Sequence, residues 1–523
     1  NLQVSGFVNA AGGSSSGTWL LDPGNVTISN SATSGGPDQT GLFRPTANTA
    51  NVQISSIIST LETDGGNSVI ITTDREASTE QGNITLSADI TVNPATAKLD
   101  LMLAAANDIT INGNIVSSGN ALDVKLHAEG DVTIKSGKNI TTKGGDFQVA
   151  GSNDEGNPTD FSNLFGSEAG SFTQESGGTI TTTGGSGVAS GDVSIVVAVQ
   201  TPAFTGASAT SGIISLFGNI DTSAGTTTGA GTAGGAVTLT TSGAGTITLE
   251  SGADIDPRGG DGASGTNAAG AGGAITIDTG GQNITLKDTT LQTGSGSATG
   301  GAATATGGLI HFKDPVLLST NDVTIDTGST AGAVTFDSTL DGGVNLDITS
   351  GTGTTHVIGD IGVTTPLTTL DINALSGSGT IDISNIGDTS AGVTGLTRLG
   401  QSTTGTFTLD GTKYKLGGGF TFGGNYSASQ QTFSTTGDVN ILGNVTANGA
   451  FSIDSGGGNI NITGNVAGTS TTDTFTLTDG AGTSGTITVG GTIGAGDNLR
   501  SISLTGDSGI NLSGNLKTSN EAG

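Results

Sequence analysis

A nine-residue phrase that recurs along the chain is the feature that most limits its fold. The phrase covers residues 437–445 (GDVNILGNV) and returns at residues 458–466 (GNINITGNV). Its apolar residues alternate, which places Val439 and Ile441 on one face of a short strand. The Gly-Asn step that follows accepts the positive φ angles of a tight corner, and Val445 begins a second strand. A strand, a corner, a second strand and a return after about 20 residues predict one coil of a β-solenoid.

Earlier copies of the phrase show the same spacing between the first strand and the residue after the corner. Ile84 is followed by Ile90, and Ile109 is followed by Ile115. We therefore predict an all-β protein, a right-handed parallel β-helix of about 20–25 residues per coil with loop insertions. No segment shows a convincing helical period, so no α-helix is expected.

Composition supports one thin, regular core rather than several ordinary domains. Glycine supplies 93 of the 523 residues, about 18% against a usual ~7%. Charged residues are 11% of the chain, under half the usual ~25%, while hydrophobic residues are still 32% and follow the strand pattern. The chain contains no cysteine, which excludes a disulfide framework and any thiolate metal or redox site.

The charge balance is strongly acidic, with a net charge of −30. Nucleic acid binding needs clusters of Lys and Arg, which are missing, so nucleic acid is not expected as a partner. No apolar run approaches the ~20 residues of a membrane-spanning helix, and no basic-plus-apolar signal segment opens the chain. Both termini lie inside the repeating pattern, so we expect the chain to be part of a longer protein, cut at both ends.

Residues 1–523 are expected to form one continuous β-helix with four kinds of coil. Regular coils fill residues 1–150, glycine-rich coils with loop insertions fill 151–340, irregular coils with aromatic residues fill 341–435, and regular coils return over 436–523. In the glycine-rich part, long runs of Gly, Ala, Ser and Thr separate the strands. Either these coils are wider or a loop protrudes from each coil, and a row of such loops would mark one face.

Two aromatic groups interrupt the repeating pattern. The first comprises Phe161, Leu164, Phe165 and Phe172, which we expect on an out-of-coil loop that covers part of the solenoid. The second lies between residues 407 and 433. It fits either a small β-hairpin excursion or coils with bulkier core residues.

Residues 17–28, GTWLLDPGNVTI, resemble a marker of large secreted exoproteins of the filamentous-haemagglutinin type, and the resemblance continues through about residue 200. It implies an adhesin exported by two-partner secretion, located outside the bacterial cell or on its surface. It also implies two partners: an outer-membrane transporter that binds a region not in this chain, and a glycan or protein on a host or neighbouring cell. Read as residues alone, the marker is a strand with Val26 and Ile28 facing inward, entered through an Asp-Pro-Gly-Asn turn, with Trp19 as an end plug or core anchor.

The densest charged cluster is residues 254–261, DIDPRGGD. Paired carboxylates next to a basic residue perform acid–base chemistry in carbohydrate-cleaving β-helices. Asp254 and Asp256 are separated by one residue, so on a strand both would face the same way, with Arg258 beside them. We favour the simpler interpretation, an Asp-Pro turn in which the aspartates cap backbone amides.

A second acidic group, Asp154, Glu155 and Asp160, has the oxygen ligands that Ca²⁺ prefers. The group lacks the spacing of an EF-hand, and the chain has no series of Gly-Gly-x-Gly-x-Asp repeats. A solvated acidic loop is therefore the favoured interpretation.

The three histidines, His127, His311 and His356, are isolated in the sequence and lack a spaced partner for zinc. We interpret them as structural core or surface residues. The sequence thus predicts no catalytic, cofactor-binding or metal-ligating residue, and no cofactor.

Asparagine at the corners indicates ladders in which side-chain amides bond from coil to coil. The corner residues are Asn83, Asn114, Asn444 and Asn465. Threonine runs at residues 179–183 and 238–241 suggest flat hydroxyl rows that would suit glycans or ice, although any β-structure prefers threonine.

We predict a non-enzymatic function, the structural shaft of a secreted or surface-displayed bacterial adhesin. The rod is predicted by periodicity, and the adhesive role is implied by the resemblance. One alternative is a carbohydrate-active β-helix enzyme. Another is a self-assembling extracellular filament that associates end to end or side by side, because open sheet edges pair with other chains.

Overall fold

The computed structural model describes residues 24–35, 42–43, 49–63, 68–73, 82–94, 98–151, 168–199, 211–225, 227–263, 267–298, 304–373, 378–400, 407–480, 484–496 and 499–519. Contacts between residues divide the chain into two compact units. Unit 1 comprises Asn1–Ile284 and Ser295–Ala305, and unit 2 comprises Thr285–Gly294 and Thr306–Gly523.

The elements of unit 1 are almost all short strands. In chain order they are β1 (Asn25–Ser29), β2 (Leu42–Phe43), β3 (Thr49–Gln53), α1 (Ile54–Glu62), β4 (Val69–Thr72), β5 (Ile84–Leu86), β6 (Ile90–Val92), β7 (Leu99–Ala105), β8 (Ile109–Ile111), β9 (Ile115–Ser117), β10 (Leu122–Ala128), β11 (Val132–Ile134), β12 (Ile140–Thr141), β13 (Phe147–Ala150), β14 (Phe172–Gln174), β15 (Thr179–Thr181), β16 (Val193–Ala198), β17 (Ile214–Leu216), β18 (Asn219–Asp221), β19 (Val237–Ser242), β20 (Ile247–Leu249), β21 (Ile255–Asp256) and β22 (Ile275–Asp278). Strand β23 (Ile284–Lys287) lies on the division between the units.

Unit 2 is likewise built from short strands. They are β24 (Thr290–Gln292), β25 (Ile310–Phe312), β26 (Val316–Ser319), β27 (Val323–Asp326), β28 (Val334–Phe336), β29 (Leu340–Gly342), β30 (Asn345–Thr349), β31 (Thr355–Val357), β32 (Thr369–Ile372), β33 (Ile381–Ile383), β34 (Thr397–Leu399), β35 (Phe407–Leu409), β36 (Lys413–Lys415), β37 (Phe420–Phe422), β38 (Tyr426–Ser429), β39 (Thr432–Ser434), β40 (Val439–Ile441), β41 (Val445–Asn448), β42 (Ala450–Asp454), β43 (Ile460–Ile462), β44 (Val466–Gly468), β45 (Asp473–Thr478), β46 (Ile487–Val489), β47 (Leu499–Thr505) and β48 (Ile510–Leu512).

Three parallel sheets form unit 1. Sheet A has the order β3-β1-β5-β8-β11-β14-β17-β20, sheet B the order β6-β9-β12-β15-β18-β21, and sheet C the order β2-β4-β7-β10-β13-β16-β19-β22. From β5 onward the chain visits A, B and C in turn, so each coil contains three strands. The predicted parallel β-helix is confirmed. The repeated phrase supplies only two strands of a coil, and the third strand was missing from the sequence interpretation.

Unit 2 has the same architecture. Sheet D contains β24-β27-β30-β32-β34-β37-β40-β43-β46-β48, and sheet E contains β25-β28-β31-β33-β35-β38-β41-β44. Sheet F contains β26-β29 and β36-β39-β42-β45-β47. Single-residue parallel bridges join Leu340 to Ile361, Ile361 to Ile386 and Ile386 to Tyr414. These bridges continue sheet F through coils that lack a full strand there.

The core of each unit consists of inward-facing apolar rows that stack in register. The strands alternate buried and partly exposed residues, as the period-2 pattern requires. One row of sheet A is formed by Ile84, Ile109, Val132, Phe172, Ile214 and Ile247, all fully buried. A single row of this kind is continuous from coil to coil, so neighbouring coils stabilise one another.

Phe172 corrects the prediction of an aromatic loop over residues 161–172. It opens β14 and is fully buried, with its ring 6.4 Å from that of Phe147 in an edge-to-face arrangement. Phe161, Leu164 and Phe165 lie outside the described residues. The second aromatic group is a set of bulkier coils. Its buried members include Phe407, Tyr414, Phe420, Phe422, Tyr426 and Phe433.

The helix α1 contradicts the expectation that the chain has no α-helix. Ile54, Ile57 and Leu61 are buried on one face of it, with the spacing of three and four that a helical face requires. The helix packs against β3, β4 and β6, and β3 and β6 are the outermost strands of sheets A and B. It therefore covers one end of the core of unit 1. In the described part of the chain, no helix is long and apolar enough to cross a membrane.

Candidate functional site: arms stacked at one corner

Corner residues tie successive coils together through their side-chain oxygens. The Oδ1 atom of Asn25 accepts the N–H of Asn83 at 2.9 Å, and Asn83 in turn accepts the N–H of Asp108 at 3.1 Å. In the next coil, the Oδ1 atom of Asp108 accepts the N–H of Asp131 at 2.8 Å. Such a series of corner residues is a ladder. Each corner thus satisfies a backbone donor of the next coil, which a buried or half-buried amide needs. In these ladders a backbone N–H chiefly donates to a side-chain oxygen, whereas hydrogen bonds between side-chain amides were expected.

All four asparagines predicted at corners take part in such ladders. Asn114 accepts the N–H of Asn139 at 2.8 Å. In unit 2, Asn444 accepts the N–H of Asn465 at 2.8 Å, and Asn465 accepts the N–H of Thr492 at 2.8 Å. These columns hold the corners of consecutive coils in register.

A different hydrogen bond closes the corner that leads from sheet B to sheet C in unit 1. There a buried threonine donates its hydroxyl to the carbonyl of the glycine that re-enters the coil, and we call each such pair a neck. The necks are Thr142 with Gly145, Thr182 with Gly191, and Thr222 with Gly235. The two residues of a neck are 3, 9 and 13 positions apart, respectively. The coil is therefore closed in the same way whether its loop is short or long.

The necks require glycine because backbones of neighbouring coils approach closely. A Cβ atom on Gly191 would lie 1.9 Å from the carbonyl oxygen of Gly145, and one on Gly235 would lie 1.9 Å from that of Gly191. Gly273 repeats the arrangement, 2.1 Å from the oxygen of Gly235. Any side chain at these positions would collide with backbone, which explains part of the glycine content.

Beyond the necks, loops of unit 1 leave the coils and stack on one another. We call them arm 1, arm 2, arm 3 and arm 4, and their described residues are 183–190, 223–225 with 227–234, 258–263 with 267–272, and 295–298 with 304–305, respectively. The two described parts of arm 3 lie side by side, with Gly270 donating to the carbonyl of Gly260 at 2.8 Å. Of the two alternatives left open by the sequence, wider coils or protruding loops, the described residues of these coils fit the second.

Hydrogen bonds to backbone carbonyls join each arm to the next. Ser190 of arm 1 donates its hydroxyl to the carbonyl of Ser223 at 2.7 Å. Gly231 of arm 2 donates to the carbonyl of Ala268 at 2.8 Å, and Gly262 of arm 3 donates to that of Ser297 at 2.9 Å. The arms therefore form one layered array of backbone and small side chains.

The charged cluster of residues 254–261 lies at the base of arm 3. Asp254 and Asp256 flank the buried Ile255 and are both partly exposed, so they face the same way, as predicted. Arg258 forms a two-pronged ion pair with Asp256, Nε to Oδ1 at 2.9 Å and Nη2 to Oδ2 at 2.7 Å. Asp261 accepts the N–H of Ser297 at 2.6 Å. The carboxylates of Asp256 and Asp261 are thus engaged in turn and arm structure, in agreement with the favoured interpretation.

The histidines are separated in the fold. His127 is fully buried, His311 Nε2 lies 2.8 Å from Asp337 Oδ2, and His356 Nε2 lies 3.4 Å from Asp382 Oδ2. Desolvation raises the pKa of Asp382, while the neighbouring His356 lowers it. Among the residues that the structure describes, no three His, Asp or Glu side chains converge as a metal site. Asp154, Glu155 and Asp160 lie outside those residues.

The hydroxyl rows run across strands instead of along them. Thr182 and Thr241 point inward and are buried, so the runs at 179–183 and 238–241 are not flat exposed rows. The outward row on sheet A is Thr27, Thr85, Thr110, Thr133, Thr173, Ser215 and Thr248, in register. The signal for it was present in the sequence as the middle residue of each short strand.

The chain matches no protein family, no curated protein and no solved structure with which it was compared. Residues 25–28 of the marker phrase form part of β1, with Val26 and Ile28 buried. Trp19 lies outside the described residues. The resemblance to filamentous-haemagglutinin-type exoproteins stays a prediction.

Proposed function

We propose that the chain is a structural segment of a secreted or surface-displayed bacterial adhesin of the filamentous-haemagglutinin type, without a catalytic role. The observation that supports this most directly is the arm array. A β-helix whose necks hold the coil constant, while loops of different lengths stack outside it, is suited to displaying loops on a rigid support. The resemblance at residues 17–28 supports the secreted location.

The stacking of the coils is suited to a long structural segment, because each coil is stabilised by its neighbours. Each coil buries inward apolar rows against its neighbours, and corner ladders satisfy backbone donors between coils. Stability in such a stack is a sum of coil and interface terms, so length is gained without a new core. In this proposal the partners are a cell-surface glycan or protein and an outer-membrane transporter that binds outside this chain.

Retention of coated beads on cells tests the proposal. Beads carrying the full chain are expected to be retained on bacterial or epithelial cell layers more than albumin-coated beads. In a shortened variant, residues 223–234 and 258–272 are each replaced by Lys-Gly, the pair that closes the neck of Thr142 and Gly145. We expect this variant to keep its far-ultraviolet circular dichroism and to be retained less than the unaltered chain.

Two results would contradict the proposal in different ways. If beads with the unaltered chain are not retained on any cell layer, the chain is not an adhesive segment. If the shortened variant is retained as well as the unaltered chain, the arms are not the displayed contact, and the adhesive surface lies elsewhere on the β-helix.

A further inference from the structure

Sheet D presents an outward row of amide and hydroxyl side chains across its last four strands. Asn440 of β40 is in register with Asn461 of β43, Asn461 with Thr488 of β46, and Thr488 with Asn511 of β48. We call these four residues the amide row. Neighbouring strands of a sheet lie about 4.8 Å apart, so the row offers polar groups at a constant repeat.

Asparagine in the middle of a strand needs an explanation, because the residue is depleted in strands. In the same coils, the corner asparagines carry structural hydrogen bonds: Asn459 accepts the N–H of Thr486 at 3.0 Å, and Asn465 that of Thr492 at 2.8 Å. The side-chain amides of Asn440 and Asn461 bond to no residue that the structure describes. They are half-exposed, and their donors and acceptors face outward. Their presence is therefore not explained by the fold.

The surface on the carboxyl-terminal side of the amide row is uncharged and includes one apolar side chain, whereas the exposed Asp438 lies on the other side. The residues that directly follow the four strands are Leu442, Thr463, Gly490 and Ser513, all exposed. The Leu442 side chain is 41% exposed. In a chain with a net charge of −30, two adjacent rows without a charged residue are a distinct kind of surface.

We infer that the amide row binds an uncharged polysaccharide. An amide can donate to one hydroxyl and accept from another, which matches the hydroxyl pairs of a sugar ring, and Leu442 offers an apolar contact for the C–H face of a ring. A polymer with a regular repeat can use several members of the row at once, and multivalent contact raises affinity.

Other ligands fit the surface less well. An extended peptide binds to a sheet through free backbone groups at an edge. Of the row's strands, β40, β43 and β46 pair with a neighbouring strand on both sides, and only β48 is an outermost strand of sheet D. Nucleic acid is opposed by the acidic charge. This inference goes beyond the proposed function, because the amide row belongs to unit 2 whereas the arms that the bead experiment removes belong to unit 1.

Affinity electrophoresis of the full chain tests the inference. The chain would be run in native gels that contain dextran, hydroxyethylcellulose or mannan. We expect retardation in at least one gel, and at least a tenfold loss of affinity in the double variant Asn440→Ala with Asn461→Ala. A second double variant, Asn440→Thr with Asn461→Thr, also lacks the two amides. Because threonine is favoured in strands, this variant is expected to fold.

The matched control is Asn112→Ala, since Asn112 is exposed in unit 1 and lies outside the row; it is expected to bind like the unaltered chain. Absence of retardation in all three gels would overturn the inference, as would unchanged affinity in the threonine variant. The bead experiment separates the two proposals. Beads with the unaltered chain that are retained on cells, together with either of these electrophoresis results, would remove the polysaccharide inference and leave the adhesive function standing.

Discussion

The carboxylate of Asp473 satisfies several backbone N–H groups at a tight turn between strands. It is 1% exposed. One oxygen accepts the N–H of Gly449 at 2.7 Å, and the other accepts those of Thr469 and Ser470, both at 2.7 Å. Desolvation raises the pKa of Asp473, but these donors outweigh it, so the pKa lies below its ordinary value. The site is built for an ionised acceptor.

Asp473→Asn is therefore expected to lower the free energy of unfolding of the surrounding coils by about 2–3 kcal/mol at pH 7, because an NH₂ group would replace one acceptor among backbone donors. A depressed folded-state pKa stabilises the fold above the unfolded value of about 3.9. That contribution is lost as the pH falls through the folded pKa. Urea unfolding at pH 7 and pH 3 should show a smaller pH dependence for the variant than for the unaltered chain.

The control for this prediction is Asp454→Asn, since the Asp454 carboxylate is exposed and its Oδ1 accepts the N–H of Gly456 at 3.0 Å. We expect a loss below 1 kcal/mol there. Equal losses in the two variants would show that the buried donors do not distinguish Asp473.

Tyr426 differs from Asp473, because its buried polar group is not satisfied by hydrogen bonds among the described residues. Its hydroxyl is buried without a hydrogen-bond partner in the described structure, and its ring lies 4.9 Å from that of Phe422. Tyr426→Phe should raise the free energy of unfolding by about 1 kcal/mol, because an unsatisfied buried hydroxyl is removed. Tyr414→Phe is the matched control and should lower it, since Tyr414 accepts the N–H of Gly411 at 2.9 Å. Chemical unfolding of both variants measures the difference, and loss of stability in Tyr426→Phe would contradict the prediction.

At the scale of elements, the arms depend on glycine at the points where they touch. A Cβ atom on Gly270 of arm 3 would lie 1.8 Å from the carbonyl oxygen of Thr232 in arm 2, whereas one on Gly229 would meet nothing within 4 Å. Gly270→Ala should therefore separate arms 2 and 3, and Gly229→Ala should not. Limited proteolysis should cut within the arms at least several-fold faster in Gly270→Ala. Equal cleavage of the two variants would mean that the arms do not rely on this contact.

Strands and ladders were predictable because they reflect local requirements of the backbone. Alternation at Val439 and Ile441 needs only the period of a strand. The positive φ angles predicted for the Gly-Asn step are absent at Gly443 and Asn444. Glycine is needed there because a Cβ atom on Gly443 would lie 2.3 Å from the carbonyl oxygen of Gly424 in the preceding coil. The third strand of each coil was missed because segments such as Leu99–Ala105 have no Gly-Asn step beside them. The helix α1 was missed although its apolar spacing is visible, because it is nine residues long and rich in Ser and Thr.

The arm array was predictable only in outline. The glycine-rich runs indicated loops, but their stacking depends on which carbonyl lies opposite which Cα, as for Gly270 and Thr232. The amide row has the same limit. Which mid-strand residues become neighbours depends on coil lengths that differ along the chain, so the register of Asn461 with Thr488 is set by the fold.

At the scale of the whole molecule, the acidic charge sets how the β-helix responds to salt. The chain has 45 Asp and Glu against 15 Lys and Arg, and parallel stacking brings like charges together. The pKa of Asp123 is raised by desolvation, with the neighbouring carboxylates of Asp146 and Asp100 adding to the effect. Repulsion of this kind opposes the compact state.

Raising NaCl from 0.01 M to 1 M should therefore increase the temperature of unfolding, because the Debye length falls from about 30 Å to about 3 Å. Differential scanning calorimetry measures the shift, and sucrose at matched osmolality serves as an uncharged control. Asp123→Asn should reduce the salt dependence. A midpoint that is constant or falls with NaCl would contradict this account of the charge.

The necks have a consequence for how such a chain can change. The hydroxyl of Thr182 donates to the carbonyl of Gly191, and that of Thr222 donates to the carbonyl of Gly235. The geometry of the coil is therefore the same whatever number of residues lies between threonine and glycine. Doubling the length of a flexible loop costs only about 0.6 kcal/mol. Foreign peptides grafted between Thr182 and Gly191 should therefore be accepted with little loss of stability. The same freedom lets natural insertions and deletions accumulate at this corner, so its sequence can diversify while the coils beneath it stay the same.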